Sequence, residues 1–183
     1  DFEFAAVVLC AFGGGTHIGE ALALTRADIL LPADVLYEKR SGRRPVVFLI
    51  LLDTKTSTRG GAKRQHAIID DPCTVAFLVW WCTPMPAGQP LFRGGYDDWG
   101  LRWRAVITGR LDIATTGPYG FTPNCLRAAH PTESYLLYGS LERIRWQLRH
   151  KSLRPTTLEH YIQELPSALA GAQWSVHARR VVE

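Results

Sequence analysis

Lys55, Arg127, His150 and Tyr161 are four side chains suited to moving a phosphoryl group. A phosphodiester is anionic, and further charge builds on its non-bridging oxygens as a nucleophile arrives. Guanidinium and imidazole donors can meet that charge without a metal. A tyrosine hydroxyl titrates near pH ~10, so it needs positive surroundings to attack near neutrality. The departing sugar hydroxyl needs a proton, which a turn lysine can give. Each residue also has an ordinary alternative. Tyr161 in "TTLEHYIQE" can pack beside Leu158, Lys55 can be a solvated turn lysine, and His150 can belong to the basic run "RHKSLR". Lys63, in the same turn as Lys55, is a second candidate for the acid.

The elements that must position these residues follow from apolar spacing and breakers. A helix is expected from about Asp1 to Phe12, ended by "GGG" at 13–15. Thr16 is expected to cap a second helix with Ile18, Ala21, Leu22 and Thr25 on one face. Strands follow at Val35–Glu38, Val46–Leu52 and Gln65–Ile69, separated by the turns "KRSGRRP" and "DTKTSTRGGAKR". "DDPCTVAFLVWWCTP" reads as a helix with Pro72 in its first turn and Pro84 past its end, with Trp80 and Trp81 in the core. "YDDWGLRWRAVITGRL" is the next helix. A further one starts at Thr122 as cap with Pro123 at its first position, and Pro131 predicts a break or kink within it. Ser140 caps "LERIRWQLRH", and Thr156 with Glu159 forms a capping box before Tyr161. His66 and His130 read as surface or loop residues.

Three blocks in this order resemble the tyrosine recombinases, or phage-type integrases, over nearly the whole chain. "GGTHIGEALALTRADI" is similar to the family's "TGLRxxELLxLxWxDI". "DTKTSTRGGAKRQHAI" is similar to the hairpin that carries the family's lysine. "TPNCLRAAHPTESYLLYGSLERIRWQLRHKSLRPTTLEHYIQE" is similar to "HxLRHTFAT…LLGHxxxxTTxxY". The wording "LRA", "LERI" and "HYIQE" also resembles recombinase-like genes of protist mobile elements. The resemblance implies an α+β, mainly helical catalytic fold with a small three-stranded antiparallel sheet, covering residues 1–165, and a tail at 166–183. It implies a site-specific recombinase that cuts and rejoins DNA through a 3′-phosphotyrosine on Tyr161, with no cofactor and no metal. Lys55 would be the general acid, Arg127 a phosphate clamp and His150 a support for the scissile phosphate, while Glu20 would brace the first block.

The chain departs from the family pattern at definite places. The first catalytic arginine falls on His17, and the histidine of the HxxR motif falls on Asn124. A histidine of ordinary pKa, ~6.5, is mostly neutral at pH 7 and lacks the planar fork of a guanidinium. Asparagine donates a hydrogen bond but shuttles no proton. The interval from His150 to Tyr161 is also longer than usual, with "RPTT" available to absorb it. Two alternatives follow: a catalytically impaired relative that binds DNA without cutting it, and a type IB topoisomerase-like enzyme that relaxes DNA as a monomer.

The partner classes agree with a polyanion. Net charge is +4. Lys39, Arg40, Arg43 and Arg44, with Arg59, Lys63 and Arg64, are expected on one side of the sheet, where they would contact double-stranded DNA backbone. The tail around Trp174 can dock on its own domain or on a neighbour's; the family resemblance implies a homo-oligomer linked by such tails, which the linker "SALAGA" permits. Cys10, Cys73, Cys82 and Cys125 form no CxxC pair and read as reduced thiols, which suits an intracellular protein. No apolar run reaches the ~18 residues of a membrane span. The start "DFEFAAVVLC" lacks the basic flank of a signal peptide and opens inside an apolar pattern, as expected of a domain cut from a longer protein.

Overall fold

The computed structural model describes residues 1–35, 44–52, 65–118 and 120–149. Within them the fold is α+β, with six α-helices and one antiparallel sheet of three strands. The helices are α1 (Phe2–Gly13), α2 (Ile18–Leu22), α3 (Pro72–Cys82), α4 (Tyr96–Ile107), α5 (Asn124–Tyr138) and α6 (Leu141–Gln147). The strands are β1 (Ile29–Leu30), β2 (Val47–Leu51) and β3 (Gln65–Ile69), in the order β1-β2-β3.

α1 is the central support. Ala6, Val7, Cys10 and Ala11 are fully buried, and the helix packs on α2, α3, α5 and β3. Small residues at these positions let neighbouring backbones approach closely. The sheet lays its alternate residues against this core: Val47, Leu49 and Leu51 of β2, with Ala67 and Ile69 of β3. The register pairs Val47 with Ile69 and Leu49 with Ala67 inside, and Phe48 with Ile68 and Ile50 with His66 outside. A second aromatic wall closes the core, where Trp99 stacks between Phe4 and Trp103 at centroid distances of 5.3 and 5.4 Å.

β2 and β3 lie where their alternation places them, but β1 does not. The first strand of the described sheet is Ile29–Leu30, ahead of the expected Val35–Glu38; Val35 lies in a turn, and residues 36–38 are outside the described set. Polar bonding explains this placement. Arg26 donates to Cys82 O at 2.8 Å, to Ile29 O at 2.7 Å and to Asp34 Oδ2 at 3.0 Å. Asp34 also accepts from Leu31 N at 2.9 Å. This corner turns the chain straight after Leu31 and satisfies a carbonyl at the end of α3.

Asp71 caps α3 by accepting from Thr74 N at 2.7 Å, with Pro72 in the first turn as expected. Trp80 is a correction: it is 57% exposed, and Trp81 is half-buried. α3 is apolar on all sides, but only Thr74, Val75, Leu78 and Cys82 are buried, with Phe77, Val79 and Trp81 packed partly buried against the core beside them. Trp80 instead packs edge-on against Phe2 at 5.1 Å. Cys10 and Cys82 are buried, Cys73 is exposed, and all four thiols are free.

Candidate functional site

The site is built around the glycines that end α1. Gly14 packs so tightly that a Cβ would lie 2.8 Å from Cys10 O and 3.0 Å from Leu49 Cδ1. Gly15 has φ +56, and a Cβ there would meet His130 Cδ2 at 2.9 Å. The run is therefore a close-packed corner as well as a helix stop. Gly15→Ala is expected to cost about 1–3 kcal/mol, from the left-handed backbone and the imidazole overlap together. Urea unfolding of the variant checks this, and an unchanged midpoint would contradict the packing.

Thr16, expected as the cap of α2, is fully buried and donates to Cys10 O at 3.3 Å. His17 is the actual cap. Its backbone N–H donates to Glu20 Oε2 at 2.9 Å, and its carbonyl accepts from Ala21 N at 3.0 Å. Glu20 thus braces the first block through the backbone of His17.

Arg127 reaches this corner from α5 and is 8% exposed. Its Nη1 donates to Gly15 O at 2.5 Å and its Nη2 to Leu148 O at 3.5 Å. One guanidinium therefore ties the turn after α1 to the end of α6, bringing together segments far apart in sequence. Its buried Nε has no acceptor among the described residues. α5 runs unbroken through the fully buried Pro131, without the expected break. Proline has no N–H to bond the carbonyl four residues back, which is that of Arg127. Asn124 opens α5 one turn before Arg127 and is exposed.

His130 is a second correction. It is 7% exposed and packs edge-on to Phe12 at 6.4 Å. Burial is the main cause that pushes its pKa down to about 4, and the nearby Arg127 and Arg149 add to it; Asp70 and a hydrogen bond to the Phe12 backbone act the other way. The imidazole is neutral at pH 7.

Arg149 is the residue that sequence reasoning missed. It follows α6 with φ +60. Its Nε donates to Gln65 Oε1 at 3.2 Å, Nη1 to Gly14 O at 3.3 Å and Nη2 to Glu20 Oε2 at 3.1 Å. Burial lowers its pKa to about 10, against the pull of Glu20, which leaves it charged at neutral pH. One sequence signal could have found it: Leu148-Arg149-His150 puts arginine where the "LLGH" pattern has glycine.

Arg149 also lines an open groove of about 1050 Å³ between the outer face of the sheet and α6. Phe48, Ile68, Arg143, Arg145 and Trp146 line it too. Arg143 is paired with Asp70 at 2.8 Å and lies over the Tyr138 ring at 3.7 Å. Ser140 caps α6 as expected, accepting from Arg143 N at 3.2 Å.

The structure thus brings Arg127, Glu20 and the backbone of His17 to one corner, while Asn124 is exposed at the start of α5. Arg44 is exposed just before β2. Lys55, His150 and Tyr161 lie outside the described residues, as do Lys39, Arg40, Arg43, Arg59, Lys63 and Arg64 and the tail at 166–183. No group of side chains suited to holding a metal ion occurs among the described residues, and none of their helices is long and apolar enough to cross a membrane. No protein-family model, curated protein or solved structure matches the chain.

Proposed function

We propose that this chain is the catalytic domain of a tyrosine-type DNA recombinase. The observation that carries the reading is the Arg127 guanidinium, buried, held on Gly15 O and Leu148 O, and without an ion-pair partner among the described residues. A buried cation fixed in this way is preorganised for an anion. It joins Gly15, in the first block, to Leu148, two residues before His150 in sequence, which supports the reading.

In the proposed reaction the Tyr161 oxygen bonds to phosphorus as the bond from phosphorus to the 5′ oxygen breaks. Lys55 protonates that leaving oxygen. Asn124 cannot take the phenolic proton, which passes to water. Arg127 and His150 meet the charge on the non-bridging oxygens. Rejoining reverses these steps with a 5′ hydroxyl of the partner strand. Double-stranded DNA is the substrate, and a homo-oligomer on two DNA partners completes the exchange.

A pool of nicked duplexes, incubated with the protein and resolved under denaturing conditions, tests the reading. A covalent protein–DNA adduct that disappears in Tyr161→Phe is the expected result. His17 favours one second reading, a DNA-binding relative that no longer cuts. On that reading the native chain binds duplex without adduct, and His17→Arg is needed to produce one.

A further inference from the structure

We propose that Arg149 is a second phosphate-facing guanidinium of this site, supplying from the end of α6 the cation that His17 does not supply from the start of α2. The inference rests on the recombinase reading and deepens it.

The backbone is the first argument. A left-handed φ of +60 suits glycine, while an ordinary residue pays for it. Arginine at this place is held by its side chain, which bonds Gly14, Glu20 and Gln65 and so joins the α1 corner, α2 and β3. The second argument is adjacency. Arg149 and Arg127 bond the carbonyls of consecutive residues, Gly14 and Gly15, and Arg127 also bonds the carbonyl of Leu148, the residue before Arg149.

Charge supplies the third argument. Two guanidiniums share this corner with one carboxylate, Glu20, which pairs with Arg149. His130 is neutral there, and Asp70 is paired with Arg143. Among the described residues no carboxylate pairs with Arg127. Among the described residues one unit of positive charge is left over in a largely buried place, where an anion lowers the energy. The groove gives that anion an approach, because Arg149 lines it while its side chain is only 10% exposed. A phosphodiester oxygen entering along the groove meets Arg149, which lines it, while Arg127 bonds the neighbouring carbonyls of Gly15 and Leu148. Glu20 then has two tasks on one oxygen: it caps His17 and orients Arg149.

The test moves the cation. Arg149→Gly removes the guanidinium and installs the residue that the backbone prefers, and His17→Arg/Arg149→Gly puts a guanidinium back on the first block. Adduct rate on nicked duplex and the salt dependence of duplex binding are measured for the native chain, both variants and Arg149→Lys. Arg149→Gly is expected to lose about two decades in adduct rate. Its salt slope should become shallower by about one phosphate contact. The double variant should recover both. Arg149→Lys should keep the slope and lose rate, because an ammonium retains charge without the planar fork. A folded Arg149→Gly with native rate and slope would overturn the proposal. So would a folded double variant, or a folded Arg149→Lys, that behaves like Arg149→Gly on both measures; Arg149 would then be a structural brace. A native chain that neither binds duplex nor forms adduct would instead remove the recombinase reading, and this proposal with it.

Discussion

Arg127→Ala is expected to slow adduct formation by two to three decades, the usual size of effect for a lost preorganised donor, roughly 10²–10³. The side chain has two roles that the variant separates poorly, so stability must be measured beside rate. Removing the guanidinium leaves Gly15 O and Leu148 O without their donor, at about 1–3 kcal/mol for each buried group. Arg127→Lys divides the roles. It keeps a positive charge in the corner, but one ammonium cannot span both carbonyls and still present a flat pair of donors to phosphate. Arg127→Lys should therefore bind duplex with nearly the native salt slope while cutting far more slowly. A folded Arg127→Ala that forms adduct within a few-fold of the native rate would contradict the assignment.

The second large effect concerns pH and His130. Its folded pKa, about 4, lies below the ordinary 6.5 because the imidazole is buried beside two guanidiniums. The unfolded chain takes up a proton in this window that the folded chain refuses. Stability from this group is therefore complete above about pH 6.5 and is lost as pH falls toward about 4. The difference corresponds to about 3 kcal/mol at the acid end. Below that the folded state also binds the proton and the curve flattens. His130→Leu should remove this component, at a pH-independent cost of roughly 1 kcal/mol for the lost hydrogen bond to the Phe12 backbone. Urea unfolding of both proteins between pH 7.5 and 4.5 isolates the effect, since the carboxylates contribute equally to each. Parallel curves would show that His130 titrates normally.

These two residues also show what the sequence could and could not reveal. β2 and β3 were legible because alternating apolar residues on a sheet with one face on the core leave little choice of register. Pro72 marked the start of α3, and Ser140 marked that of α6, because first-turn prolines and caps are local chemistry. β1 was misplaced because the bonds that fix it run from Arg26 to Cys82 and Asp34, one of them far along the chain. Trp80 and His130 went wrong for a related reason. An all-apolar helix does not say which stripe meets the core. A histidine beside a proline gives no sign that a glycine corner from residue 15 closes over it.

The candidate site was legible in part. Arg127 could be picked out as a candidate, but its burial and its anchor on Gly15 O could not, because the carbonyl it bonds lies far back in the chain. Glu20 could be picked out as a brace, although it acts through the His17 backbone and Arg149 rather than through another side chain of its own block. Arg149 was hidden in a basic run, and its one local sign is that it stands where the similar "LLGH" pattern has glycine, which matches its left-handed backbone. The three bonds that hold it run to distant elements and have no local sequence signature.

On the proposed function, Tyr161 attacks a phosphodiester whose charge Arg127 meets. The most direct measurement is to trap the protein on nicked duplex, trim the DNA with nuclease, digest the chain and locate the nucleotide-bearing peptide by mass spectrometry. The expected result is a single modified residue, Tyr161, joined to a 3′ phosphate and formed two to three decades more slowly, by roughly 10²–10³, when Arg127 is replaced by alanine. A nucleotide on any other residue, or an adduct that survives Tyr161→Phe, would contradict it.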